Sequence, residues 1–289
     1  MNKNQLIQFL KQNDIWAKRT MGQNFLVDDE VLARIVAVSD LKPTDTVVEI
    51  GPGLGVLTEE LAKRAGKVIA IEKDERLAEV LEARAINNEL WKKKIKIINQ
   101  DALKIHYSQF IIHNSSYKVV ANIPYNITSP IIRKFLEAEN QPELMVLLVQ
   151  KEVAERITAK PGEMSLLSVA VQFYADAEII DIVKNSSFFP VPKVDSAIIK
   201  LTPLHHGFAG RVADEKSFFR LVKFGFASRR KTLENNLAAG LQISKKVASD
   251  IIKKAGLPEK VRAQELSVKN WLEIFKIGGV DGGGKREIS

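Results

Sequence analysis

The 289-residue chain contains no cysteine, which excludes a disulfide framework, a thiolate nucleophile and an iron–sulfur cluster held by its own side chains. It has four histidines, His106, His113, His205 and His206, of which only the last two are close in sequence, so no metal site is expected. Long hydrophobic runs are absent too: "LMVLLV" at 144–149 falls far short of the roughly 20 residues that span a bilayer. The amino terminus, "MNKNQLIQFLKQND", interrupts its apolar pattern with polar residues and offers no small-residue cleavage site, so no signal peptide is expected and a cytoplasmic protein is. An excess of either charge is missing from the first two thirds. Residues 1–204 carry 26 basic and 26 acidic side chains, whereas 205–289 carry 17 and nine, so the whole +8 surplus lies in the last third. A basic module joined to a neutral one suits a protein that holds a polyanion with one part and acts on it with another.

The 45% of apolar residues suffices for two packed cores, one large and one small. After an amphipathic amino-terminal helix and a loop, short β-branched runs alternate with helical segments: "TVVEIG" then 57–65, "KVIAIE" then 75–90, "IKIIN", "YKVVAN" then 129–138, "LMVLLV" then 151–160. Continuous apolar strands separated by helices predict an α/β fold with a mostly parallel sheet buried on both faces. A helix around 164–174 precedes "AEIIDIVK" and "SAIIKL", and the intervening "NSSFFPVPKVD" leaves no room for a crossover helix. These two runs are therefore expected as an antiparallel addition to the sheet. From about 212 the pattern is helical to 276, and the tail, "GGVDGGGKREIS", reads as disordered. The expected division is a sheet domain over 1–204, a basic helical domain over 205–277 and a tail over 278–289. The run "KKKIK" at 92–96 reads as charged surface.

Gly51, Gly53 and Gly55 follow the first strand directly, where glycine lets the backbone turn sharply at the ligand-binding edge of an open sheet. The second strand ends in Glu72 and the third in Asp101. Above one glycine loop, these two acids would lie along a single adenosine, Glu72 accepting from ribose hydroxyls and Asp101 from the adenine amine. A dinucleotide remains open, although its fingerprint is G-x-G-x-x-G and this loop reads G-x-G-x-G. S-adenosylmethionine has one adenosine and no pyrophosphate, which suits a loop that need not cradle phosphates.

The fourth strand ends in "NIPY". If a methyl donor lies over the first three strands, an acceptor amine must be held here. The Asn122 side-chain oxygen and the Ile123 carbonyl can each accept one of its hydrogens, and Tyr125 offers a face for the base. Pro124 biases Ile123 toward an extended conformation that aims its carbonyl away from the ladder. No general base is needed, and positioning carries most of the catalysis.

The ordered set "GQNFL", "EIGPGLGVLT", "IEKD", "QDAL", "NIPY", "LVQKEVAERI", "FFPVPKVDSA" and "RRKTLENNL" resembles the ribosomal RNA adenine N6-dimethyltransferases, most closely the KsgA group. The resemblance covers roughly residues 15–275. It implies a Rossmann-like class I methyltransferase sheet with a small helical domain after it. By motif, it implies cofactor contacts from Asn24, Leu26, Gly51, Gly53, Glu72, Asp101 and Asn122, and a ring stacked on the target adenine opposite Tyr125, a role for which Phe188 and Phe189 compete and the motif favours Phe188. It implies dimethylation of two adjacent adenosines in a hairpin near the 3′ end of small-subunit RNA, consuming four S-adenosylmethionines, on RNA or an immature 30S particle, by a monomer. Arg229, Arg230 and Lys231 are expected on a helix that grips phosphates. Three other readings stay open: a large-subunit dimethylase conferring antibiotic resistance, a ribosome assembly factor with incidental activity, and a nicotinamide oxidoreductase.

Overall fold

The computed structural model describes residues 7, 8, 10, 23–107, 116–204, 212 and 214–278. The expected amino-terminal helix, the His205–His206 pair and the tail lie largely or wholly outside these residues. The chain divides into two compact units, one of residues 1–154 with 177–203 and one of 155–176 with 204–289. The helical unit therefore includes a segment ahead of residue 204. Its reason is aromatic: Phe173 stacks on Phe218 with ring centroids 4.8 Å apart, and the Tyr174 hydroxyl donates to Glu215 at 2.6 Å. Among the described residues no helix is long and apolar enough to cross a membrane.

The first unit is built on a seven-stranded sheet. Its strands in chain order are β2 (Thr46–Ile50), β3 (Lys67–Glu72), β4 (Ile95–Asn99), β5 (Lys118–Asn122), β6 (Leu144–Gln150), β7 (Ala175–Val183) and β9 (Ser196–Pro203). In space the order is β4-β3-β2-β5-β6-β9-β7. Strands β2 to β6 pair in parallel, and β9 runs antiparallel to β6 from Met145↔Leu201 to Gln150↔Ser196. Apolar side chains of β2, β3, β5 and β6 are buried on both faces, as crossover helices require. The chain winds outward from β2 to β4, then returns to β5 on the other side of β2. The carboxyl ends of β2 and β5 thus flank the switch point, where open α/β sheets bind ligands.

Local chemistry sets the connections. The stretch expected as one helix over 75–90 is two, Glu75–Ile86 and Glu89–Lys94, because Asn88 takes the Leu90 and Trp91 amides on its side chain and caps a new start. An unforeseen helix, Asp29–Val38, is capped by Asp28 and buries Val31, Leu32, Ile35 and Val36. Two further short strands form a ribbon: β1 (Phe25–Leu26) and β8 (Phe188–Phe189) pair antiparallel, with Phe25↔Phe189 and Leu26↔Phe188. Asp28 also accepts from the Ser187 hydroxyl at 2.7 Å, so the "GQNFL" loop is tied to the "FFPVPKVD" connection both by the ribbon and just beyond it.

Candidate active site

The glycine loop needs left-handed backbone at three positions, with φ of 66° at Gly51, 59° at Gly53 and 77° at Gly55. It is also tightly enclosed. A Cβ on Gly51 would lie 3.1 Å from Pro124 Cδ, one on Gly53 would lie 3.3 Å from the Phe25 ring, and one on Gly55 would lie 2.5 Å from Trp91. The loop after β2 therefore packs directly on the proline of "NIPY" after β5.

Glu72, at the end of β3, is 5% exposed. Its Oε2 accepts from the Gly53 amide at 3.1 Å and its Oε1 from the Asp74 amide at 2.9 Å. Burial raises its pKa against the opposing pull of these bonds. With a third backbone bond from Lys73, the carboxylate still has acceptor capacity for a ligand hydroxyl. Asp101 takes the Lys73 ammonium at 2.9 Å and the Leu103 amide at 2.9 Å, and the Lys73 bond holds its carboxyl below the usual range. Both acids line one cavity with Gly51, Gly53, Asn24, Leu26, Asn122, Ile123 and Tyr125.

Asn122 ends β5, and its Nδ2 donates to the Asn24 carbonyl at 3.1 Å. That bond uses one of the amide's two N–H donors on the loop before β1, and Oδ1 is its acceptor. Ile123 is buried, its amide paired with the Leu148 carbonyl at 3.2 Å. Tyr125 opens a single 3₁₀ turn, Tyr125–Ile127, and its hydroxyl lies 2.7 Å from Ser196 Oγ at the start of β9.

Two expected placements differ. Phe188 is 0% exposed and packs in the core with Val31, Leu32 and Ile35, because its β8 position pairs it with the buried Leu26. It does not line the cavity and presents no face there. Arg229, Arg230 and Lys231 are exposed, but they form a turn between the helices Glu215–Gly225 and Leu233–Leu241 rather than part of a helix. Asn236 fixes that turn, donating to the Gly225 carbonyl at 2.7 Å and the Ser228 carbonyl at 2.9 Å.

Glu49 went unnoticed in the sequence. It is 1% exposed, lines the cavity, and its Oε2 has no hydrogen-bond partner among the described residues. Burial pushes its carboxyl up to about 8; the facing Thr58 hydroxyl eases this without closing a hydrogen bond, and Glu72 adds to the rise. The only available signal was a carboxylate inside the apolar run "TVVEI".

The donor set fits S-adenosylmethionine. Acceptors suited to hydroxyls, an amine and a cationic group line the cavity. The Gly53 amide, a donor that a pyrophosphate would use, is already bonded to Glu72, which disfavours a dinucleotide there.

Comparison with known proteins agrees. The profile of the family described as Ribosomal RNA adenine dimethylase matches residues 16–278. The chain is 46% identical over 264 residues to Ribosomal RNA small subunit methyltransferase A of Dehalococcoides mccartyi strain BAV1, covering 89% of this chain and 87% of that one. It is 38% identical over 288 residues to the protein of that name from Halothermothrix orenii, covering 95% and 94%. Among solved structures, a dimethyladenosine transferase from Plasmodium falciparum is similar with a TM-score of 0.75 at 29% identity, covering 88% of this chain and 98% of that chain. The 23S rRNA methyltransferase ErmE gives 0.69 at 29% identity, covering 88% and 99%. The chain belongs to the ribosomal RNA adenine dimethylase family.

Proposed function

We propose that this protein dimethylates N6 of two adjacent adenosines in the 3′-terminal hairpin of small-subunit ribosomal RNA. The observation that carries the reading is the Asn122 amide at the end of β5, whose Nδ2 donates to the Asn24 carbonyl. Its Oδ1 accepts one hydrogen of the target amine, and the Ile123 carbonyl accepts the other. This favours a pyramidal nitrogen whose lone pair, otherwise delocalised into the ring, points along the line of attack. Tyr125 supplies the face on which the base rests. Glu72 takes ribose hydroxyls and Asp101 an adenine amine of the methyl donor. S-adenosylmethionine, when bound, supplies a methyl group activated by its sulfonium. The product amine loses its proton to solvent, since neither the Asn122 amide nor the Ile123 carbonyl is a base.

The small-subunit choice rests on the names of relatives at 38% and 46% identity; ErmE, by its description, acts on 23S RNA. The exposed Arg229-Arg230-Lys231 turn supports docking of the RNA by the basic helical unit. Primer extension on both ribosomal RNAs, with and without the protein, is expected to stop at two adjacent adenosines of the small-subunit hairpin only; stops confined to large-subunit RNA would refute the assignment. Asn122→Ala is expected to lower methyl transfer by about 100-fold or more while filter binding of RNA changes only a few fold. Equal loss of both would refute the positioning role.

A further inference from the structure

The connection between β8 and β9 carries two exposed valines, Val191 at 54% and Val194 at 45%, with the exposed Lys193 between them. A loop that shows apolar side chains to water ordinarily collapses or moves. This one is held at several points. Asn185 donates its side-chain amide to the Pro192 carbonyl at 3.2 Å and its backbone amide to Asp195 Oδ1 at 3.0 Å. Lys184 pairs with Asp195 Oδ2 at 3.1 Å, and the Lys151 amide donates to the Asp195 carbonyl at 3.0 Å. The next residue, Ser196, is fully buried and bonded to the Tyr125 hydroxyl. Val194 is two residues from Ser196, so their Cα atoms are within about 7 Å, and Tyr125 lines the cavity. The apolar tip is thus braced from below and continuous with the acceptor side of the site.

We infer that Val191 and Val194 form an apolar wedge that packs on the RNA base next to the target adenine, covering the face exposed when the adenine leaves its stack. The surface chemistry matches that occupant: two aliphatic side chains suit a base face, and Lys193 between them suits the adjoining phosphate. Turning a base out costs unstacking energy, and a fixed apolar surface recovers part of it. The inference deepens the proposed function and rests on a structured RNA as substrate.

The test uses the Val191→Ser/Val194→Ser variant, whose changes are on the surface and leave the core alone. Two hairpins serve as substrates: the small-subunit target, and the same RNA abasic at the neighbour of the target pair that is not itself methylated. On intact RNA the variant is expected to show KM for RNA raised about tenfold, with S-adenosylmethionine affinity unchanged in a titration. On abasic RNA the unmodified protein should lose a similar factor, and the variant should lose little more. A KM within twofold of the unmodified protein on intact RNA, or equal loss on both RNAs, would overturn the wedge. Should the unmodified protein methylate neither hairpin, the proposed function fails by itself; equilibrium binding of the same two RNAs then decides the wedge.

Discussion

At the scale of single residues, Glu49 shows how a polar group can be hidden inside an apolar strand. Burial pushes its carboxyl up to about 8 from an ordinary value of 4.5. As pH rises between these values the unfolded chain gives up a proton that the folded chain keeps, so the folded state loses stability across that interval and levels off above it. Burial shifts Glu72 in the same direction. Thermal melts at a series of pH values between about 5 and 8 should therefore show a smaller decline for Glu49→Gln than for the unmodified protein; parallel curves would reject the assignment. Other residues were legible in advance for clear reasons. Gly51, Glu72, Asp101 and Asn122 each stand out as an unusual residue at or just after the end of an apolar strand, and strand ends at a switch point converge by topology. Glu49 gave no such mark. The burial of Phe188 is not legible in its motif, which shows an aromatic beside a proline, because the side on which each of two adjacent rings points is decided by pairing with β1.

At the scale of elements, the parallel strands were legible because their apolar runs have no polar alternation, which only burial on both faces permits. The ribbon of β1 and β8 was not, since two-residue strands have no period and pair across the chain from Phe25 to Phe189. The helix Asp29–Val38 followed a polar loop that masked its cap, Asp28. Close packing also separates the glycines by consequence. Gly55 and Gly162 both have positive φ, but a Cβ on Gly55 would meet Trp91 at 2.5 Å, and one on Gly162 would meet nothing within 4 Å. Gly55→Ala should thus be destabilised by about 1–3 kcal/mol more than Gly162→Ala, because it adds overpacking to backbone strain. Denaturant unfolding of the two variants measures the difference, and equal midpoints would contradict the enclosure of the loop.

At the scale of the whole molecule, the charge surplus confined to residues 205–289 was the one global feature the composition made plain. What composition could not give was its display, because the turn of Arg229, Arg230 and Lys231 depends on the buried Asn236 amide reaching back to two carbonyls. Replacing the three cations with alanine should weaken RNA binding and lower the slope of log affinity against log salt by about 2. Filter binding across a salt series reads this directly, and an unchanged slope would remove the turn from the interface. The acceptor side of the cavity is gathered from distant stretches of chain: Asn24 holds Asn122, and Ser196 holds Tyr125. During synthesis, the glycine loop, Glu72 and Asp101 all emerge well before Ser196. A chain ending ahead of β9 already contains the cavity residues Asn24, Gly51, Glu72 and Asp101, yet lacks the Ser196 partner of Tyr125. The tether on Tyr125 is therefore completed only by the strand that carries Ser196.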